Sequence, residues 1–402
     1  MTQAGAPQGE RDGKRGPGRR TVLGAGAVGA GSAVLGLSGT ARAASGGASG
    51  EDASEGDASQ RDHGRNRLPV PAVIGHRGAS GYRPEHTFGS YELAAELGAD
   101  VVEQDLVPTK DGHLVCRHEN DITGTTDVSE HREFADRRTT KTVDGVSITG
   151  WFTEDFTLAE LKTLRAKERI PAVRQRNTLY DGRWAVPTFE EVLRWAAGRR
   201  AKSGRPLWLH VETKHPSYFR KLGLGLEEPL ARLLRAHGKG RRNSPVFLQS
   251  FEPSSLQRLG RLVGNPRIQL LSGPTSRPWD FTEAGDPRTV ADLVTPEGLA
   301  WIAGFAQGIG PTTELIVPTD PATGKLGKPT TLVRDAHNEG LVLHPYTLRN
   351  ENQFLPADFR KGTVPTDYGN SFGAFKLYFE LGIDGVFSDN PDTAVLARAD
   401  LR

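Results

Sequence analysis

From residue 69 onward the chain alternates short apolar runs with helix-length amphipathic segments. The runs at 70–75, 100–105, 207–212, 246–250, 267–271, 308–312, 341–344 and 385–388 are predicted strands. Between most of them lie patterns of helical period, at 90–97, 189–201, 226–237, 254–262, 332–339 and 372–381. Thr188 followed by Glu191 supplies a capping box for the second of these. Strands alternating with helices in this way predict a (β/α)8 TIM barrel. The alternative, a doubly wound open sheet, lacks a glycine-rich dinucleotide loop after the first strand.

The rhythm breaks once. After Glu103 and Asp105 the chain reaches His118 too soon for a helical crossover, with Asp111-Gly112 between them. That spacing predicts a β-hairpin with a two-residue turn, placing Asp105 opposite His118 at the barrel mouth. The polar stretches 119–187 and 275–330 show no apolar periodicity and read as long loops over that mouth.

Composition changes the picture mainly at the N-terminus. The formal net charge of +2 includes six basic and two acidic residues in 1–43, which leaves the remainder at −2. A weakly acidic body gives no electrostatic footprint for nucleic acid. Arg19-Arg20, a glycine-rich apolar run and Ala41-Arg42-Ala43 predict a twin-arginine-type signal peptide over 1–43. Residues 44–68 read as a disordered linker, and 69–402 as the barrel domain. Export by the twin-arginine route gives a secreted or extracytoplasmic protein. The glycines and the cleavage site argue against stable membrane insertion once the signal is removed. The lone Cys116 excludes an intrachain disulfide.

The candidate chemistry gathers at predicted strand ends. Glu103 and Asp105, spaced i and i+2, point the same way on a strand. Glu212 ends another strand, and three carboxylates make an oxygen-rich site for Ca²⁺ or Mg²⁺ rather than zinc. His76 and His118, ending the first strand and the hairpin, suit a general base and a general acid in either assignment. Arg77 and Lys214 are phosphate contacts, the alternative for Arg77 being a structural pair with Glu85 or Glu119. Glu85 could orient a catalytic group or join the metal shell. Phe251, His344 and Tyr346 are candidates to line a leaving-group pocket. Cys116 has no basic partner and reads as a buried thiol, and no G-x-S-x-G elbow supports a serine hydrolase.

These motifs resemble the glycerophosphodiester phosphodiesterase family, especially its secreted or periplasmic bacterial members. The match runs through His76–Thr87, Glu103–Val107, Arg117–Asn120, Val211–Lys214, Gln249–Phe251, His344–Thr347 and Gly385–Asp389, in order. The resemblance implies a phospholipase-C-like barrel with metal ligands Glu103, Asp105 and Glu212, catalytic His76 and His118, and Arg77 on the phosphate. The expected cofactor is one divalent cation, Ca²⁺ ahead of Mg²⁺. The implied reaction is metal-assisted hydrolysis of a small glycerophosphodiester to glycerol 3-phosphate and an alcohol through a cyclic phosphate. Glycerol-phosphate polymer of the cell wall is a further candidate substrate. The rival readings are a phospholipase-D-like enzyme on lysolipids, which would need an exposed apolar rim, and a non-catalytic exported binding protein.

Overall fold

The computed structural model describes residues 68–401; the signal peptide and nearly all of the linker expected from the sequence lie outside them. Eleven strands are described: β1 (Ala72–Gly75), β2 (Val101–Pro108), β3 (Leu114–Cys116), β4 (Thr139–Val143), β5 (Val146–Gly150), β6 (Trp208–Thr213), β7 (Val246–Ser250), β8 (Arg267–Leu271), β9 (Gly308–Pro311), β10 (Val342–Leu343) and β11 (Gly385–Ser388). Eight of them run in the order β10-β9-β8-β7-β6-β2-β1-β11, every pair parallel. The ends meet. Asp384 N–H donates to Leu343 O, Phe387 N–H to Pro345 O and Leu348 N–H to Phe387 O, each at 3.0 Å. All eight predicted barrel strands are present, within a few residues of their expected bounds.

Strand parity sorts the side chains. Val101, Trp208, Phe247, Ile268, Ile74 and Phe387 form one apolar cluster inside the barrel. Val102, Leu106, Leu209, Val211 and Leu248 point outward into the layer beneath the helices. Because side chains alternate, Glu103 and Asp105 follow Val101 on the inner face, while His210 and Glu212 follow Trp208. The parallel register sets Asp105 beside Glu212 and Glu103 beside His210. The acidic layer therefore stands above an apolar barrel floor.

The six predicted helices all form. The one starting at Phe189 has its capping box but ends at Ala196, short of the expected 201, because Ala197 is extended and Gly198 turns with φ 74°. The long excursions carry more structure than their polarity suggests. Residues 275–330 hold the helices Trp279–Ala284, Val290–Leu293, Pro296–Ala303 and Thr313–Ile316, which bury Phe281, Leu293, Leu299 and Ile302. None exceeds eight residues, too short to show a period in sequence. Residues 119–187 contain the β4–β5 ribbon, turned by Asp144 (φ 47°) and Gly145 (φ 79°) in the mirror-image geometry that matches strand twist.

The β2–β3 hairpin is real, but its register differs from expectation by one residue. Leu106 pairs with Cys116, and Arg117 N–H donates to Asp105 O, so Asp105 faces Arg117 rather than His118. Thr109 N–H bonds His113 O, which leaves Lys110, Asp111 and Gly112 as a three-residue loop with Gly112 at φ 79°. A three-residue loop ending in a left-handed glycine shifts the pairing by one from a two-residue turn.

Candidate active site

One cavity of about 140 Å³ opens at the C-terminal ends of the barrel strands. His76, Arg77, Glu103, Asp105, His118, Glu212, Phe251 and Tyr346 all line it. Of the other sequence candidates, Lys214 stands immediately beside it, with Nζ 3.2 Å from Glu212 Oε1 and 3.4 Å from His118 Nε2. Glu85 is buried behind Arg77, accepting from Arg77 Nη1 at 2.9 Å and Arg169 Nε at 2.8 Å. The alternative weighed for Arg77, a pair with Glu85, is thus present as well.

His344 does not join the cavity. Its Nδ1 lies 3.2 Å from His210 Nε2, and its ring packs on Phe247 inside the barrel. His344 and Tyr346 share one face, but His344 lies lower, level with His210 and Phe247, and Tyr346 two residues on reaches the mouth.

The carboxylates are crowded and short of positive charge. Burial, reinforced by Asp105, pushes Glu103 well above the usual carboxylate range. Burial also pushes Glu212 up to about 8, against the pull of Lys214. Asp105 goes the other way, because the hydrogen bond from His86 and the charge of Lys214 overrule its burial and hold it ionised. Its Oδ1 is buried without a hydrogen-bond partner. An orphaned carboxylate oxygen beside two unwillingly ionised acids fits a hard divalent cation.

His86 was missed as a member of this cluster. It offers an atom within 4.8 Å of one from Glu103 and one from Asp105. Its Nε2 lies 2.8 Å from Asp105 Oδ2 and its Nδ1 2.9 Å from the Tyr91 hydroxyl. Burial keeps the ring neutral, and a carboxylate can only accept, so Nε2 carries the proton. His86 therefore aims Asp105 and leaves Oδ1 for a cation. The loop bearing Arg77, Glu85 and His86 is tied down by buried Arg117, which donates to Glu85 O at 3.0 Å and His86 O at 2.7 Å. Arg77 and His86 sit at φ 58° and 52°, which turns Arg77 N–H onto Glu103 Oε2 at 2.6 Å.

Asp389 is the second residue that residue-by-residue reading passed over, although the motif ending β11 contains it. Its Oδ1 is 2.5 Å from His76 Nδ1. Arg174 Nη2 (2.6 Å) and Arg349 Nε (2.7 Å) hold its other oxygen. These guanidiniums keep Asp389 ionised, so His76 carries its proton on Nδ1 and leaves Nε2 for the cavity. Arg174 comes from the 119–187 excursion and also pairs with Glu351 at 2.7 Å, a partnership spanning distant segments that no local motif announces. Burial, with Arg77 nearby, lowers His76 to about 4, and burial with Arg77 and Lys214 lowers His118 to about 3. Both rings are neutral at pH 7 in the free site. His118 Nδ1 rests on Glu119 at 2.8 Å. Glu119 in turn meets His215 at 2.8 Å, and Asp144 holds the other ring nitrogen of His215 at 2.6 Å.

The chain is similar to known proteins along most of this length. Residues 76–393 match the glycerophosphoryl diester phosphodiesterase family. A glycerophosphodiester phosphodiesterase of Arabidopsis thaliana is 36% identical over 79% of this chain and 83% of its own. One from Haemophilus influenzae is 29% identical over 80% and 88%. A chain from Silicibacter pomeroyi, described as a glycerophosphoryl diester phosphodiesterase, shares the fold with a TM-score of 0.56 at 20% identity, covering 85% of this chain and 97% of its own. The match over residues 76–393, with 36% identity to a relative along most of both chains, places this chain in the glycerophosphoryl diester phosphodiesterase family.

Proposed function

We propose that the protein hydrolyses small glycerophosphodiesters to glycerol 3-phosphate and an alcohol. The observation that carries this is the convergence of His76, His118, Arg77 and the three carboxylates on one cavity. Glu103, Asp105 and Glu212 would hold the divalent cation, Ca²⁺ in the first instance, which when bound neutralises phosphate charge and acidifies a nearby hydroxyl. Arg77, which lines the cavity with its Nε 3.7 Å from Asp105 Oδ2, is the contact for the phosphate. His76 Nε2, neutral and backed by Asp389, takes the proton of the glycerol 2-hydroxyl as that oxygen attacks phosphorus. The bond to the leaving oxygen breaks, and His118 protonates it. The negative charge of the bound diester raises the proton affinity of His118, which takes up a solvent proton on Nε2 as the diester binds and delivers that proton to the leaving oxygen. Water then opens the cyclic phosphate with the histidines exchanging roles.

Residues 1–43 would direct export by the twin-arginine route, and wall glycerol-phosphate polymer is a further substrate to test. A second reading, a lysolipid as substrate, draws on one observation. Phe354, Val364, Tyr368 and Phe372 are exposed by 36–49% in the segment after β10, and Val146 and Leu179 are exposed in the 119–187 excursion. Among the described residues no helix is long and apolar enough to cross a membrane.

The test is a panel of glycerophosphocholine, lysophosphatidylcholine and glycerol-phosphate polymer, each with Ca²⁺ or Mg²⁺. Glycerol 3-phosphate should appear from glycerophosphocholine and vanish in Glu103→Ala and His118→Ala variants that keep their fold. Undiminished turnover in either variant would sink the assignment.

A further inference from the structure

A second cavity, of about 250 Å³, adjoins the first and shares Glu212, Phe251 and Leu270 with it. Its outer walls come from both excursions: Asp144 at the tip of the β4–β5 ribbon, and Arg277 and Trp279 after β8. Trp279 is fixed in place. Its indole N–H donates to Glu283 at 2.8 Å, and its ring lies so close to Gly145 that a Cβ there would come within 2.9 Å. Asp144 Oδ2 accepts from His215, while its Oδ1 is buried with no hydrogen-bond partner. Lys214 lines this cavity and touches His118, which lines the first, so the proton donor assigned to the leaving oxygen stands at their junction.

We propose that this second cavity is the subsite for the leaving alcohol and that it selects a neutral polyhydroxy alcohol of cyclitol or glycerol size. The inference rests on the diester reading above. The charges on the wall decide the class. Lys214, His215 and Arg277 stand against Asp144, Glu212 and Glu252, and burial keeps Glu252, bonded to Ser217, in its protonated form. No net negative field awaits a quaternary ammonium head. Phe251, which could face such a head, already has Lys214 Nζ 5.7 Å from its ring centre. What remains is one indole face, the Asp144 oxygen without a donor, and the Arg277 guanidinium, since Lys214 and both ring nitrogens of His215 are already engaged. That set suits hydroxyl groups on a compact ring or chain. The smaller first cavity, with Leu270, Phe387 and Tyr346 on its wall, is left for the glycerol being converted.

The experiment compares kcat/KM for glycerophospho-myo-inositol and glycerophosphocholine in the intact protein and in Trp279→Ala and Trp279→Phe. Wild type should favour the inositol diester. That preference should fall about tenfold in Trp279→Ala and be largely kept in Trp279→Phe. In the unmodified protein, myo-inositol should inhibit turnover more strongly than choline. An unchanged preference in Trp279→Ala, or stronger inhibition by choline, overturns the proposal. Absence of turnover of both diesters by the wild type would instead remove the diester reading on which it stands.

Discussion

Replacing Asp389 by Asn tests the positioning of His76 most directly. In the native site one carboxylate serves two masters: Oδ1 receives His76 Nδ1 at 2.5 Å, and Oδ2 receives Arg174 and Arg349 at 2.6 and 2.7 Å. An amide of the same shape has only one oxygen. Each charge-assisted bond to a guanidinium contributes about 1.5–3 kcal/mol, against about 0.5–1.5 kcal/mol for a neutral bond to imidazole. The oxygen should therefore turn to the arginines, with a bias of roughly 2–4 kcal/mol. The amide NH₂ then faces His76 Nδ1, which must accept, and the imidazole proton moves to Nε2. The nitrogen needed as base is lost. At 1.4 kcal/mol per tenfold, kcat should fall about 10²-fold or more while KM stays within about threefold. Steady-state release of glycerol 3-phosphate measures both constants, and a thermal melt checks that the variant folds. A kcat within threefold of wild type, or a loss carried by KM, would refute this account of His76.

Four further outcomes follow. Burial opposes but Asp144 and Glu119 overcome it, raising His215 from its usual 6.5 to about 9. Its contribution, ~3 kcal/mol, is thus fully present below pH 6.5 and lost as pH rises through 9. Urea unfolding should show the stability gap between wild type and His215→Gln shrinking from pH 6 to pH 10, and a constant gap would contradict the pairing. Phe247 packs inside the barrel at 4.8 Å from Trp208 and 5.1 Å from His210, ring centre to ring centre. Phe247→Ala should cost about 3–5 kcal/mol by denaturant titration, and a loss under 1 kcal/mol would mean that the floor repacks freely. Chelation should stop turnover, and Ca²⁺ should restore it. In Glu212→Gln the ion concentration for half-activity should rise by roughly 10–100-fold, and an unshifted titration would take Glu212 out of the cation shell.

The alternation of apolar runs and helical patterns was enough to place all eight barrel strands, because burial on both faces gives each a short run rich in apolar residues whatever its neighbours. The i, i+2 spacing of Glu103 and Asp105 likewise settled that they share the inner face, since strand parity is local. Tertiary structure decided whatever depended on a loop conformation or a distant partner. The three-residue turn at 110–112 put Arg117, not His118, opposite Asp105. The stagger of β10 against its neighbours set His344 at the depth of His210 and Phe247, on the barrel floor. Closure of the barrel brought Asp389 from its last strand beside His76 on its first, 313 residues away. Arg174, inside a stretch with no periodicity, meets Asp389 only because the excursion folds back over the mouth. Local patterning therefore specified the elements and the inward face of the acids. The orientation of His76, the aim of Asp105 and the second cavity arise from contacts between segments that are remote in sequence, and short-range spacing carries no record of them.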